Sequence, residues 1–271
     1  MLFFGPAGIP AAAGSHEEGI EQVARLGLNA LEVEFVRGVR MRPEEARRLG
    51  KLAAERGLRL SAHAPYYINL NSKTKKTIDS SKVHILATML AARELGAKVI
   101  VVHAGFYSGM GPEDATEVIA HGIIECREKA DREGCNDVLL GLETMGRRAT
   151  WGTPAEIAAV ARRVKGVVPV IDFAHMHARC QGCLREKKDF EGVLRDFEAL
   201  GAPFLHSHFT GIEFGQAGER RHLDVSSRSP DFELLAPLLA GRKYDITVIC
   251  ESPLLEQDAL VLKQLALSAS R

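Results

Sequence analysis

Six residues able to bind a metal recur down the chain: His63, His103, Glu143, Asp172, His208 and Glu251, at intervals of 40, 40, 29, 36 and 43 residues. Each ends a short apolar run, and each interval is about one strand plus one helix long. A single histidine in such a place is usually a hydrogen-bonded structural group. Six such residues at one level are different, because imidazoles and carboxylates crowded out of water need something cationic, and a metal supplies it most simply. Two more histidines join through local spacing. His175 lies one turn beyond Asp172 in Ile171-Asp172-Phe173-Ala174-His175, and His222 follows in Gly218-Glu219-Arg220-Arg221-His222. Five histidines and three carboxylates form a mixed N and O set that suits Zn2+ or Mn2+ rather than Ca2+ or an iron–sulfur cluster. Eight ligands exceed the needs of one tetrahedral ion. They point to two or three ions sharing bridging carboxylates, an arrangement suited to in-line attack on a phosphodiester.

The remaining candidates take lesser roles. His206 shares strand parity with His208 and should point deeper, as a core or supporting group. His177 could orient His175 or line the groove, while His16, His84 and His121 fall in expected helices and read as surface or structural groups. Glu32 and Glu34 share parity and could face inward, Glu34 as a supporting group. Cys180-Gln181-Gly182-Cys183 is one CxxC without a partner pair and reads as a flexible loop with two free thiols rather than a metal site.

The elements that must position these residues alternate from one end to the other. Strands are expected at Leu2–Gly5, Ala30–Phe35, Leu58–His63, Val99–His103, Val138–Glu143, Val167–Asp172, Phe204–Phe209 and Ile246–Glu251. Helices are expected at Ser15–Leu26, Pro43–Arg56, Ser81–Leu95, Pro112–Glu133, Thr153–Val164, Lys187–Leu200, Pro230–Leu239 and Leu255–Leu267. First-turn prolines at Pro43, Pro112, Pro154 and Pro230, and capping boxes opened by Ser15 and Thr153, mark the starts; Gly27, Gly57, Gly96 and Gly201 mark ends. Eight such units demand a parallel sheet with right-handed crossovers, and in a chain of this length a closed barrel is favoured. The expected fold is α/β, a single (β/α)8 TIM barrel over residues 1–271 with its active site at the C-terminal rim.

Composition bounds the rest. The 271 residues carry 35 Lys+Arg against 35 Asp+Glu, with 46% hydrophobic and 26% charged residues, the profile of a globular chain rather than a disordered or fibrous one. No apolar run approaches the ~18 residues of a membrane span, and the opening Met1–Pro6 lacks the basic region of a signal peptide. Five cysteines argue against a disulfide scaffold and for a reducing cytosol. A cytoplasmic protein without membrane contact is expected, with a monomer as the default. Zero net charge taken alone argues against nucleic acid, yet the charge is segregated. The expected rim loops, residues 35–43, 64–76, 104–112, 144–152, 173–188 and 209–229, hold fifteen basic residues against four acidic ones. Phosphate binding needs a basic face, not a basic protein.

The chain resembles endonuclease IV, the metal-dependent apurinic/apyrimidinic endonuclease family 2, and most of all its shorter archaeal and thermophile-type members. The resemblance rests on Phe4-Gly5-Pro6-Ala7-Gly8, Ala62-His63-Ala64-Pro65-Tyr66-Tyr67-Ile68-Asn69-Leu70, Val102-His103-Ala104-Gly105, Leu142-Glu143-Thr144-Met145, Ile171–His175, His208-Phe209-Thr210-Gly211 and Cys250-Glu251-Ser252, in the family's order. It implies a trinuclear site: one ion on His63, His103 and Glu143; a second sharing Glu143 with Asp172, His208 and Glu251; a third on His175 and His222. The family places an Asp two residues before that last histidine, where this chain has Arg220; Glu219, one residue earlier, could reach the third metal instead. The resemblance further implies hydrolysis 5′ to an abasic site in double-stranded DNA, with Glu143, Asp172 and Glu251 catalytic, and removal of blocked 3′ ends. Tyr66 and Tyr67 would insert into the duplex gap, as would Arg37, with Arg40 the alternative. A rival lies among sugar isomerases and epimerases of the xylose-isomerase-like barrels, for which Glu143, Asp172, His208 and Glu251 alone would suffice.

Overall fold

The computed structural model describes residues 1–241 and 244–269. Its eight parallel strands are β1 (Leu2–Pro6), β2 (Ala30–Glu34), β3 (Arg59–His63), β4 (Val99–Val102), β5 (Leu139–Glu143), β6 (Val167–Asp172), β7 (Leu205–Phe209) and β10 (Ile246–Cys250). They hydrogen-bond in the order β1-β10-β7-β6-β5-β4-β3-β2. The seam between β1 and β2 is closed by a shorter ladder: Asn29 N donates to Phe4 O at 3.1 Å, Gly8 N donates to Glu32 O at 2.9 Å, and a parallel bridge joins Ala7 to Glu32. Only glycine fits at Gly5 there, since a Cβ would lie 1.8 Å from Ala30 O. The result is a nearly closed (β/α)8 barrel, as the alternating pattern requires.

The surrounding helices are α1 (His16–Arg25), α2 (Pro43–Glu55), α3 (Lys75–Leu95), α4 (Pro112–Arg132), α5 (Pro154–Ala161), α6 (Phe173–Arg179), α7 (Lys187–Glu198), α8 (Phe232–Gly241) and α9 (Glu256–Ser268). Their apolar faces pack on outward strand residues. Phe209, one step from inward-facing His208, meets Phe232 edge-on at 4.8 Å, and Phe173 meets Phe190 at 5.7 Å.

Three features depart from expectation. Helix α3 starts at Lys75, six residues before the expected Ser81. Ser81 is no cap: its hydroxyl donates to Thr77 O at 2.7 Å and accepts from Asn69 N at 2.9 Å, so it pins the preceding loop from inside the helix. A short helix, α6, follows β6 without a loop, capped by the Asp172 side chain. An antiparallel hairpin, β8 (Gly211–Gly215) and β9 (Gly218–Leu223), rises from the rim after β7, where a loop was expected.

Cys180 and Cys183 are also not free thiols. They form a disulfide at the C-terminal end of α6, which closes a tight local loop in place of the flexible one expected. Cys126, Cys135 and Cys250 are free and buried. Among the described residues no helix is long and apolar enough to cross a membrane.

Candidate metal centre

Six candidate ligands sit at matching points of the barrel. His63, Glu143 and Asp172 end β3, β5 and β6; His208 is the penultimate residue of β7; His103 and Glu251 directly follow β4 and β10. The donor atoms of His63, His103 and Glu143 lie within 4.8 Å of one another, as do those of Glu143, Asp172, His208 and Glu251. A third such group is His175, Glu219 and His222. All eight ligands proposed from the sequence thus come together, and Glu219 comes with them.

Glu219 arrives through a β-bulge. Register in the hairpin pairs Glu213 with Arg221 and Phe214 with Glu219, leaving Arg220 as the extra residue. A bulge shifts the alternation of faces by one, so Glu219 returns to the face of His222 although it lies an odd number of positions, three, before that histidine. Arg220 turns outward, its side chain 64% exposed and 3.4 Å from Glu213. The bulge thus brings Glu219, and not Arg220, beside His175 and His222. The hairpin is held against the rim by close backbone contact: a Cβ on Gly218, whose φ is +97°, would meet Gly146 O at 2.1 Å. Glu219 N in turn donates to Gly146 O at 3.2 Å, and Glu219 Oε2 comes to 3.5 Å from His175 Nε2.

Hydrogen bonds to the other ring nitrogen aim the imidazoles. Nδ1 of His63 faces Ala64 O at 2.7 Å, Nδ1 of His175 faces Thr144 O at 3.0 Å, and Nδ1 of His222 faces Glu251 O at 3.2 Å. A carbonyl only accepts, so each Nδ1 carries the proton and each Nε2 is left as the donor to a metal. His208 is reversed. Its Nδ1 lies 3.2 Å from Glu143 Oε1 and 3.4 Å from Glu251 Oε1, while its Nε2 lies 2.8 Å from Glu32 Oε1.

That last contact belongs to a polar layer beneath the site that the sequence did not resolve. Glu32 is fully buried; its Oε2 is 2.9 Å from His206 Nε2 and accepts from Ser61 Oγ at 2.6 Å. Burial raises its carboxyl, but His208 and then His206 outweigh it and hold the group well below the usual range. His208 Nε2 and Glu32 Oε1 are close but out of line for a good hydrogen bond, so the contact is mainly ionic. Carboxylates behind ligating histidines fix ring orientation and raise basicity, and their loss typically costs 10- to 100-fold in metal affinity. Glu32→Ala is expected to weaken metal binding by about that factor, measured by competition with a chromogenic chelator; unchanged affinity would reduce the layer to core packing.

Electrostatics of the site match a cation-binding role. Burial pushes Asp172 up to about 7, against the pull of His175 and with Glu251 and Glu143 adding to the rise. Against burial, the carboxylates of Glu34 and Glu143 raise His63 to about 10. Those of Asp172 and Glu143 raise His175, and those of Glu251, Glu32 and Glu143 raise His208. One Asp172 oxygen caps α6, accepting from His175 N at 2.7 Å. The other, Oδ2, is buried and lacks a hydrogen-bond partner among the described residues. It is 3.2 Å from His175 Nδ1, but that ring proton is aimed at Thr144 O. An orphaned carboxylate oxygen among freed imidazole nitrogens fits a divalent ion.

The site opens into a cavity of about 430 Å³ walled by Glu34, Tyr66, Phe106, Arg147 and Leu255 as well as by His103, His175, Glu219, His222 and Glu251. Tyr66 tilts over His63 at 4.7 Å and donates its phenol to Glu34 Oε2 at 2.9 Å; Tyr67 turns away to pack edge-on against His84. Burial pushes Glu34 up to about 7, opposed by His63. Arg37 and Arg40 both stand exposed and line a neighbouring hollow of about 380 Å³ that shares Glu34. His177 neither orients His175 nor lines this cavity. Its Nδ1 accepts from Leu184 N at 3.2 Å, and burial with Arg185 nearby pushes it down to about 4.

Part of the rim charge is spent locally. Arg221 and Arg220 pair with Glu213, Arg228 pairs with Asp231 and Glu233, and Arg179 binds backbone carbonyls of loop 145–150. Among the described residues, Arg37, Arg40, Arg42, Lys73, Lys76, Arg148 and Lys187 have no carboxylate partner.

Known proteins fall on both sides of the two rival chemistries. An uncharacterized protein of Methanocaldococcus jannaschii is 34% identical over 266 residues, covering 97% of this chain and 96% of its own. A probable endonuclease 4 of Staphylococcus aureus is 26% identical over 212 residues, 72% of this chain and 67% of its own. Among solved structures, endonuclease IV from Thermus thermophilus superposes with a TM-score of 0.78 at 19% identity, over 99% of this chain and 98% of that one. A D-tagatose 3-epimerase-like protein gives 0.73, also at 19%, over 97% and 96%. At such identities the superpositions speak for the barrel alone. A family model spans residues 20–266, most of the barrel and every residue of the candidate metal centre, and the chain belongs to the family it describes, the xylose isomerase-like TIM barrels.

Proposed function

We propose that this chain is a DNA-repair hydrolase that cleaves the phosphodiester 5′ to an abasic site, using two or three divalent ions, Zn2+ or Mn2+. Blocked 3′ ends of double-stranded DNA would be a second substrate. The observation that carries the reading is the third donor group, His175, Glu219 and His222, which lines the cavity reached by His103 and Glu251 of the other two. One-metal sugar chemistry has no use for it. Ions held by the three groups would polarise a phosphodiester oxygen and stabilise the attacking and leaving oxygens of an in-line displacement.

The chain's own residues divide the remaining work. Glu143 offers one oxygen to each side: Oε2 lies 2.7 Å from His103 Nε2 and Oε1 lies 3.2 Å from His208 Nδ1. Asp172 and Glu251 complete the central group. Unpaired rim cations such as Arg37 and Arg148 would hold backbone phosphates on either side. Half-exposed Tyr67 would leave its packing on His84 to enter the gap left by the missing base, while Tyr66, held to Glu34, would face the extruded sugar. Extruding such a nucleotide is easier than flipping an intact one, because no base has to unstack.

The deciding experiment is incision of a duplex carrying a tetrahydrofuran abasic analogue, with and without chelator. Cleavage on the 5′ side that disappears on metal removal and returns with Zn2+ or Mn2+ is expected. Cleavage that survives thorough metal removal, or none with any divalent ion, rejects the reading. The second reading, a sugar isomerase or epimerase, is favoured by the central quartet Glu143, Asp172, His208 and Glu251; one ion per chain would support it, two or three the nuclease.

A further inference from the structure

Glu34 is an odd group for a cavity meant only for a phosphodiester. It walls the cavity beside Tyr66, His103 and Glu251. The Tyr66 phenol satisfies Oε2. Oε1 is buried, and among the described residues nothing hydrogen-bonds it. A buried acceptor without a donor destabilises the fold, and a carboxylate beside a phosphate repels it. A hydroxyl resolves both problems, since it donates to a carboxylate and accepts from a carboxylic acid.

Within a DNA strand that requirement is selective. An internal deoxynucleotide has no free sugar hydroxyl, because its 3′ and 5′ oxygens are esterified and the 2′ position is bare. Loss of the base creates one, the hemiacetal hydroxyl at C1′. Resting on the abasic-site reading above, we propose that the Glu34 carboxyl, which walls the cavity beside Tyr66, turns Oε1 out of its buried position to hydrogen-bond this C1′ hydroxyl and so recognises the lesion by what hydrolysis of the base leaves behind. Glu34 is then a specificity residue that reads the sugar, while the donor groups beneath it read the phosphate.

The test compares two duplexes of one sequence, one with a natural abasic site made by uracil excision and one with tetrahydrofuran, which lacks the hydroxyl. For the metal-loaded wild type, kcat/KM is expected to favour the natural site by about tenfold, the worth of one hydrogen bond to an ionisable group. In Glu34→Leu the ratio should fall to within about twofold of unity. Thermal melting gives a readout apart from activity: removing an orphaned buried acceptor should leave Tm no lower than in the wild type. A wild-type ratio near one, or a tenfold preference that persists in Glu34→Leu, overturns the proposal. If Glu34→Leu does not fold, Glu34→Ala decides on the same ratio. A wild type that cuts neither duplex would reject the abasic-site reading itself, and this proposal with it, a result distinct from equal cutting of both.

Discussion

Glu143→Gln is expected to abolish incision, lowering kcat/KM by about 10³-fold or more. The magnitude follows from position. Glu143 is fully enclosed, with Oε2 toward His63 and His103 and Oε1 toward His175 and His208, so it is the one carboxylate common to two of the donor groups. An amide keeps the shape but loses the charge and half of the acceptor capacity. Ions that stabilise transition-state charge contribute several kcal/mol, and each ~1.4 kcal/mol is a factor of ten in rate. Single-turnover incision with elemental analysis of the purified variant checks it: both rate and metal content should fall. A variant that keeps full metal content and cuts within about tenfold of the wild type would remove Glu143 from the bridging role.

The second large effect separates two neighbours. Glu219→Ala and His222→Ala should each lower metal stoichiometry by one, and each should cost about 10²-fold or more in incision. Arg220→Ala should change neither. Reading ligands by family position predicts importance at 220, whereas the bulge predicts it at 219. Elemental analysis of the three variants after dialysis decides. Unchanged stoichiometry in Glu219→Ala would leave Glu219 as a partner of Arg147, which stands 4.0 Å away, and nothing more.

Much of this was legible in the sequence, for identifiable reasons. The barrel could be read because parallel strands buried on both faces are nearly continuous apolar runs, as in Val99–Val102, and because prolines and glycines punctuate the helices. The ligands showed because a polar residue closing such a run breaks the pattern. The hairpin was missed because Gly211–Leu223 is rich in glycine and charge and has no strict alternation, its bulge having disrupted the period. Helix α6 was missed because seven residues are too few for a helical period to show. The Glu32 layer was only half visible. Parity turned Glu32 and His206 inward, but 174 residues separate them, and no local pattern encodes that meeting. The Cys180–Cys183 pairing was misread because the same spacing serves thiols, metals and disulfides alike.

The anchoring of the imidazoles has an evolutionary consequence. His63, His175 and His222 are aimed by main-chain carbonyls, which no substitution deletes while the fold stands. His208 is aimed by a side chain, Glu32, with His206 and Ser61 behind it. Drift in that layer can therefore retune His208 without touching a candidate ligand. Divergence between relatives that share this barrel, toward one ion or several and toward one metal or another, would be expected to begin at residues 32, 61 and 206, below the ligands themselves.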